Sequence, residues 1–149
     1  MKKRQNQRGN SLIEFALSAT LLVLIFSGAF QFGYACLAYN QIEAAVRSGA
    51  RYASTIRYDS ATSAPSATFA NAVKNVVVFG TATPSAGQAP VVPGLSTGHV
   101  VVTPIFVGNV PGSVRVAISG YPLNTIWRTY TLMNKPYAVF PFLGVYAPA

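Results

Sequence analysis

Three carboxylates, one histidine and one cysteine are all that the sequence offers for acid–base, nucleophilic or metal chemistry: Glu14, Glu43, Asp59, His99 and Cys36. A catalytic centre needs a base, a nucleophile or a metal brought together, and the spacing works against that. Glu14 heads a long apolar run and Cys36 lies inside it. Glu43 stands four residues before Arg47, the favourable order for an ion pair along a helix. Asp59 follows Tyr58 in the polar, turn-rich loop of residues 58–68 and reads as a turn residue. His99 precedes Val100, Val101 and Val102 and reads as a strand-end or surface histidine. There is no G-x-S-x-G elbow and no glycine pattern suited to a phosphate. One cysteine and one histidine build neither an intrachain disulfide nor a zinc cluster, and Cys36 reads as an inert small apolar side chain. The expectation is a protein that is not an enzyme, with no cofactor, no metal and no small-molecule substrate.

The elements around Glu14 carry more information. The 149 residues include eleven Lys and Arg against three Asp and Glu, a net charge of +8, yet only 9% are charged and 51% are hydrophobic. An ordinary soluble domain has about 25% charged residues. The cations do not form a stripe. Lys2, Lys3, Arg4 and Arg8 cluster ahead of the apolar run, and the other seven are scattered from Arg47 to Lys135. That distribution favours membrane topology over nucleic-acid binding. From Phe15 to Tyr39 run 25 residues without a charge, with Gln31 their one strongly polar side chain. A helix of that length crosses a hydrocarbon core of about 30 Å. The positive-inside rule puts the N-terminus in the cytoplasm and the remainder outside. The run is long for the apolar core of a cleaved signal peptide, and Glu14 is misplaced for one. Gly33-Tyr34-Ala35 before Cys36 also lacks the pattern of a lipidation site.

Past the membrane the helical signal continues. Asn40 to Ile56 has no proline, and Ile42, Ala45, Val46, Gly49, Ala50, Ala53 and Ile56 recur at helical spacing. One helix of about 45 residues is therefore expected, with a small-residue inward stripe. Ala29 and Gly33, four apart, form a second small-residue contact face. Beyond residue 57, Phe69, Val73, Val76 and Val77 fit a short helix capped by Ser66 or Thr68 and stopped by Gly80. Residues 81–98 read as a long exposed loop. His99–Val107 and Ser113–Ser119 read as a hairpin, with Val114, Val116 and Ile118 on the buried side. Trp127–Met133 is a third strand candidate. The proline-punctuated, aromatic residues 136–149 cannot be a regular membrane helix and are expected to cover the sheet or offer a contact surface. The expected class is α+β: a small soluble unit on a long N-terminal helix.

The junction Gly9-Asn10-Ser11-Leu12-Ile13-Glu14-Phe15 resembles the processing site of type IV pilin-like proteins. There a basic leader ends in Gly, and Glu is the fifth residue of the mature chain. A start at Asn10 rather than Phe, followed by Glu14-Phe15, looks more like the tight-adherence (Tad, or Flp) pilus branch. Gly28, then Gln31-Phe32-Gly33-Tyr34, then the block Ala44-Ala45-Val46-Arg47-Ser48-Gly49-Ala50-Arg51-Tyr52-Ala53 is similar to the TadE-like family of minor pseudopilins. The chain departs from that pattern at Thr20, Gln31 and Tyr34, and in its aromatic C-terminal stretch.

The resemblance implies a type IV pilin-like fold divided into a cleaved leader at 1–9, a helix at 10–57 with its membrane part at about 12–39, and an extracytoplasmic α+β region at 58–149. It implies processing between Gly9 and Asn10 by a prepilin peptidase and assembly through Glu14 and Phe15. Gly28, Gly33, Arg47, Gly49 and Arg51 would be packing or interface positions. The implied partners are other pilin subunits, the prepilin peptidase, the inner-membrane assembly platform and the lipid bilayer, with no nucleic acid. The implied location is the bacterial inner membrane as a single pass, and the extracellular pilus after assembly, in support of surface adhesion and biofilm formation. Removing residues 1–9 would take the charge from +8 to +4, seven basic against three acidic side chains, and create an α-amine at Asn10. A carboxylate at the centre of a membrane helix costs about 2.5–3.5 kcal/mol. In a bundle of helices a neighbour's α-amine would offset such a cost and fix the axial register. A filament subunit carrying a decorating domain, and an uncleaved bitopic scaffold, are the alternative readings.

Overall fold

The computed structural model describes residues 8–125 and 128–148. Helix α1 runs over Arg8–Thr55, 48 residues and so about 72 Å long. Two halves of different composition share one helix because neither contains a proline and both are rich in helix formers. From Ser11 to Phe30 almost every side chain is exposed; Leu12, Phe15, Leu17, Phe26 and Phe30 each keep more than 60% of their surface. From Ala38 onward the small-residue stripe turns inward. Ile42, Ala45, Val46, Ala50 and Ala53 are buried, as the helical spacing predicts, and Ala38 is buried as well.

Helix α2 spans Ala67–Phe79 and packs on α1. The Ser66 hydroxyl accepts from the Phe69 N–H and closes its N-terminus. Gly80, at φ 77°, ends it in the left-handed conformation. Both punctuation residues and the buried face of Phe69, Val73, Val76 and Val77 match the sequence expectation.

A three-stranded antiparallel sheet follows, ordered β1-β2-β5: β1 is Val100–Val107, β2 is Val110–Ile118 and β5 is Tyr137–Pro141. Val114 and Val116 pair with Pro104 and Val102 of β1 and with Phe140 and Ala138 of β5. That register puts the buried sides of three strands on one face, against α1 and α2. The opposite face is open. Val101, Ile105 and Val139 stand there around Arg115, whose guanidinium lies 4.5 Å above the Tyr137 ring. A second, two-stranded sheet joins β3, Tyr121–Asn124, to β4, Thr129–Leu132.

Four details differ from the sequence expectation. The C-terminal stretch contributes β5, the edge strand of the main sheet, rather than a cover; proline is tolerated at a strand end or on an edge. The third strand candidate is realised as β4, with Trp127 outside the described residues, and its partner β3 was not anticipated. Residues 81–98 are not wholly exposed, because Val92 and Leu95 are buried and the Val91 N–H donates to Val78 O. Tyr58, which reads as the start of a polar loop, is fully buried. It meets Phe69, Phe106 and Phe142 edge-on and stacks on Tyr146. Its hydroxyl donates to Thr62 O at 2.6 Å.

Candidate functional site

The sequence-selected residues fall into three places along α1. Gly9 and Asn10 lie in its first turn. Glu14 and Phe15 follow on the uncovered half, both exposed, with Phe15 keeping 71% of its surface. Among the described residues the one ion pair joins Arg47 to Glu43. Gly28 and Gly33 are also exposed, and a Cβ built at either would meet nothing within 4 Å. Among the described residues their smallness answers no packing demand.

Gly49 does the opposite. A Cβ there would lie 2.2 Å from Val77 Cγ2, so α2 approaches α1 at a point only glycine leaves open. Arg47 and Arg51 occupy the outer face of the same stretch. Arg47 bonds the Glu43 carboxylate, an exposed pair of the kind that contributes under about 1 kcal/mol. The Arg51 guanidinium sits 6.0 Å from the Phe140 ring centroid, on the rim of an open groove shared with Ala44, Arg47 and Ser48. The spacing of Arg47 and Arg51 is visible in the sequence; Phe140 beneath them depends on β5 and is not.

Other residues with chemical potential are spread apart. Among the described residues no three His, Cys, Asp or Glu side chains gather where a metal ion could be held. His99 closes a 3-10 turn, Thr97–His99; its Nδ1 accepts from the Ser96 N–H at 3.2 Å, and its ring meets Tyr121 edge-on. Burial pushes the phenols of Tyr58 and Tyr121 above their ordinary value of 10.0, with smaller contributions from Asp59 and Tyr146 at the first and from Tyr34 at the second. The Ser60 hydrogen bond acts against the shift at Tyr58. Both phenols are structural: the Tyr121 hydroxyl donates to Pro93 O at 2.9 Å.

Sequence reasoning missed the tip of the β3–β4 hairpin. It stands against α1 at Gly28–Ala35 and leaves two grooves there. One of about 310 Å3 is bordered by Gly28, Gln31, Ala35 and Tyr130, and one of about 200 Å3 by Phe30, Gln31, Tyr34 and Asn124. The signal available was the pair of short β-prone runs Tyr121–Asn124 and Thr129–Leu132 on either side of a turn.

These features define a class. The chain is an α+β protein in which one N-terminal helix is long and apolar enough to cross a membrane, its most apolar stretch wholly uncovered by the rest of the fold. The family model described as TadE-like protein matches residues 9–51, the part of α1 that carries Glu14, Gly28, Gly33, Arg47, Gly49 and Arg51. The match covers 43 of the 149 residues and marks a likeness of the long helix to that family. No curated protein and no solved structure matches the chain.

Proposed function

We propose that this protein is a minor pilin of a Tad-type pilus. It is held in the inner membrane by α1, cut after Gly9 by a prepilin peptidase, and drawn into the pilus through its N-terminal helix, in support of adhesion and biofilm growth. The observation that carries the reading is the family match on residues 9–51, on a helix whose large apolar side chains from Leu12 to Phe32 are exposed. Cleavage removes the leader cations and leaves an α-amine at Asn10. Glu14 of a neighbouring subunit is then the complementary charge in a low-dielectric bundle, where an unpaired carboxylate is expensive. The bare surfaces of Gly28 and Gly33 allow a second helix to approach closely there.

The test compares the wild-type chain with Glu14→Gln. Mass measurement on membrane-fraction protein should show loss of residues 1–9 in both, and sheared pili should contain the wild type but not the variant. Wild-type recovery of the variant from pili refutes the pairing, while an intact N-terminus in the wild type supports the uncleaved scaffold instead. Antibody labelling along purified pili separates a rare subunit from a repeating one that carries a decorating domain.

A further inference from the structure

Counted from Leu12, a rise of about 29 Å along α1, enough for a hydrocarbon core of about 30 Å, ends at Gln31, eight residues short of the 12–39 span expected from the sequence. The side chains from Leu12 to Gln31 are apolar, small or hydroxyl-bearing apart from Glu14 near the start and Gln31 at the end. The folded domain borders the helix at this upper level. Thr125, at the tip of the β3–β4 hairpin, borders both grooves beside Gln31, and Tyr130 borders the one beside Gly28. In a membrane crossed by α1, the hairpin tip therefore stands at the edge of the hydrocarbon, on the side of the domain.

The tip has the chemistry for that layer. Tyr130 keeps 53% of its surface exposed, with the Arg128 guanidinium 5.8 Å from its ring centroid. An amphipathic aromatic ring and a long-stemmed cation are the side chains that favour a lipid headgroup layer. Thr125, Arg128 and their neighbours Asn124 and Thr129 are also hydrogen-bonded to one another. The Thr125 N–H donates to Arg128 O at 2.9 Å, the Thr125 hydroxyl donates to the same oxygen, and the Arg128 N–H donates back to Thr125 Oγ1 at 3.1 Å. The Thr129 hydroxyl donates to Asn124 Oδ1 at 2.9 Å. Polar groups paired in this way lose little on leaving bulk water.

We propose that the β3–β4 hairpin rests in the phospholipid headgroup layer of the bilayer that α1 crosses, with Tyr130 and Arg128 as its contacts, and so sets the depth and tilt of the helix. The inference concerns the chain in its membrane and stands whether or not the helix later enters a pilus.

The test uses the full chain with Cys36→Ala in vesicles of mixed zwitterionic and anionic phospholipid. An environment-sensitive fluorophore is placed on Thr131→Cys in the hairpin or, as reference, on Leu143→Cys. Leu143 is 78% exposed, and its N–H donates to Ser54 O, about 35 Å further along α1 from Gln31. The hairpin label should emit at shorter wavelength than the reference label, resist iodide, and be quenched by lipids labelled near the headgroup. Adding Arg128→Glu with Tyr130→Ser should shift the hairpin label toward the reference spectrum while leaving the reference label unchanged, which shows that the domain remains folded. Equal iodide quenching at both positions overturns the proposal. So does shielding that disappears when the protein is diluted in lipid, since that identifies a second copy of the chain as the cover.

Discussion

Replacing Gly49 by alanine tests how α1 and α2 meet. In an ordinary helix the change is favourable by about 0.5–1 kcal/mol, because glycine loses more conformational freedom on folding. Here the new methyl would lie 2.2 Å from Val77 Cγ2 and 3.5 Å from Val77 Cβ. Carbon atoms prefer about 3.5–4.0 Å, so an overlap of more than 1 Å must be relieved. Val77 is fully buried, and as a β-branched residue in a helix it is held to one dominant rotamer. Overpacking of this kind costs about 1–3 kcal/mol, leaving a net loss of about 1–2 kcal/mol once the helix gain is subtracted. Val77→Ala alone removes two buried carbons and should cost about 2 kcal/mol, cavity included. In the double variant the methyl at 49 enters the space that Val77 vacates. Its total loss should be about 1–2 kcal/mol instead of the additive 3–4, a coupling of about 2 kcal/mol. Equilibrium urea unfolding of the full chain in detergent micelles, followed by near-ultraviolet circular dichroism of the tyrosines, reads all three variants. A stabilised Gly49→Ala, or additivity within about 0.5 kcal/mol, refutes the close approach.

Two further outcomes follow from the other end of the domain. A Cβ at Gly144 would stand 2.3 Å from Ile56 O and 3.0 Å from Thr55 O, backbone atoms at the end of α1 that cannot swing aside. Gly144→Ala should therefore lift Phe142 and Tyr146 from Tyr58, lower stability by about 3 kcal/mol, and open the C-terminal stretch to limited proteolysis; wild-type resistance counts against it. The raised phenols of Tyr58 and Tyr121 mean that the folded state holds these protons more tightly than the unfolded state does. Their contribution is fully present below the unfolded value of 10.0 and is lost as pH rises through the higher folded values. The urea midpoint should fall in that alkaline window and fall less steeply in Tyr58→Phe and Tyr121→Phe; equal slopes in all three chains contradict the assignment.

The parts of this fold legible in the sequence are those whose signal is local. The uncharged run and the stripe from Ile42 to Ala53 give α1. Ser66 and Gly80 punctuate α2, and the alternation around Val114 and Val116 gives β2. The parts that were not legible depend on distant partners. β3 is four residues long and contains Pro122, so its identity as a strand comes from pairing with β4. β5 follows Pro136, ends on Pro141 and becomes a strand through the β2 edge beside it. Tyr58 sits among polar neighbours, and its cluster is assembled from residues 69, 106, 142 and 146. The same division applies to the site. That Gly49 serves packing is readable from its place in the stripe, but Val77 as the reason is not. Glu14 is conspicuous for being charged, and among the described residues no ion pair includes it.

The exposed half of α1 constrains how such a chain can work. Leu12, Phe15, Phe26 and Phe32 are each at least 60% exposed, and burying a side chain of this size is worth about 1.5–3 kcal/mol. Water is therefore not the resting environment of this stretch, and either lipid or neighbouring helices must cover it. Lipid tails are about as apolar as leucine, so moving the helix from bilayer to helix bundle changes the apolar term little. The balance between the two states then falls on the polar groups that differ between them. In the proposed function Glu14 gains a counter-charge only in the bundle, which favours leaving the membrane. In the hairpin proposal Arg128 and Tyr130 keep their headgroup contacts only in the bilayer, which favours staying. Glu14→Gln should thus shift the chain toward the membrane, and Arg128→Glu with Tyr130→Ser should loosen its hold there. Combining the three changes should restore part of the balance that Glu14→Gln upsets. A triple variant as completely absent from pili as Glu14→Gln alone would show that the two terminal contacts of the exposed helix do not compete.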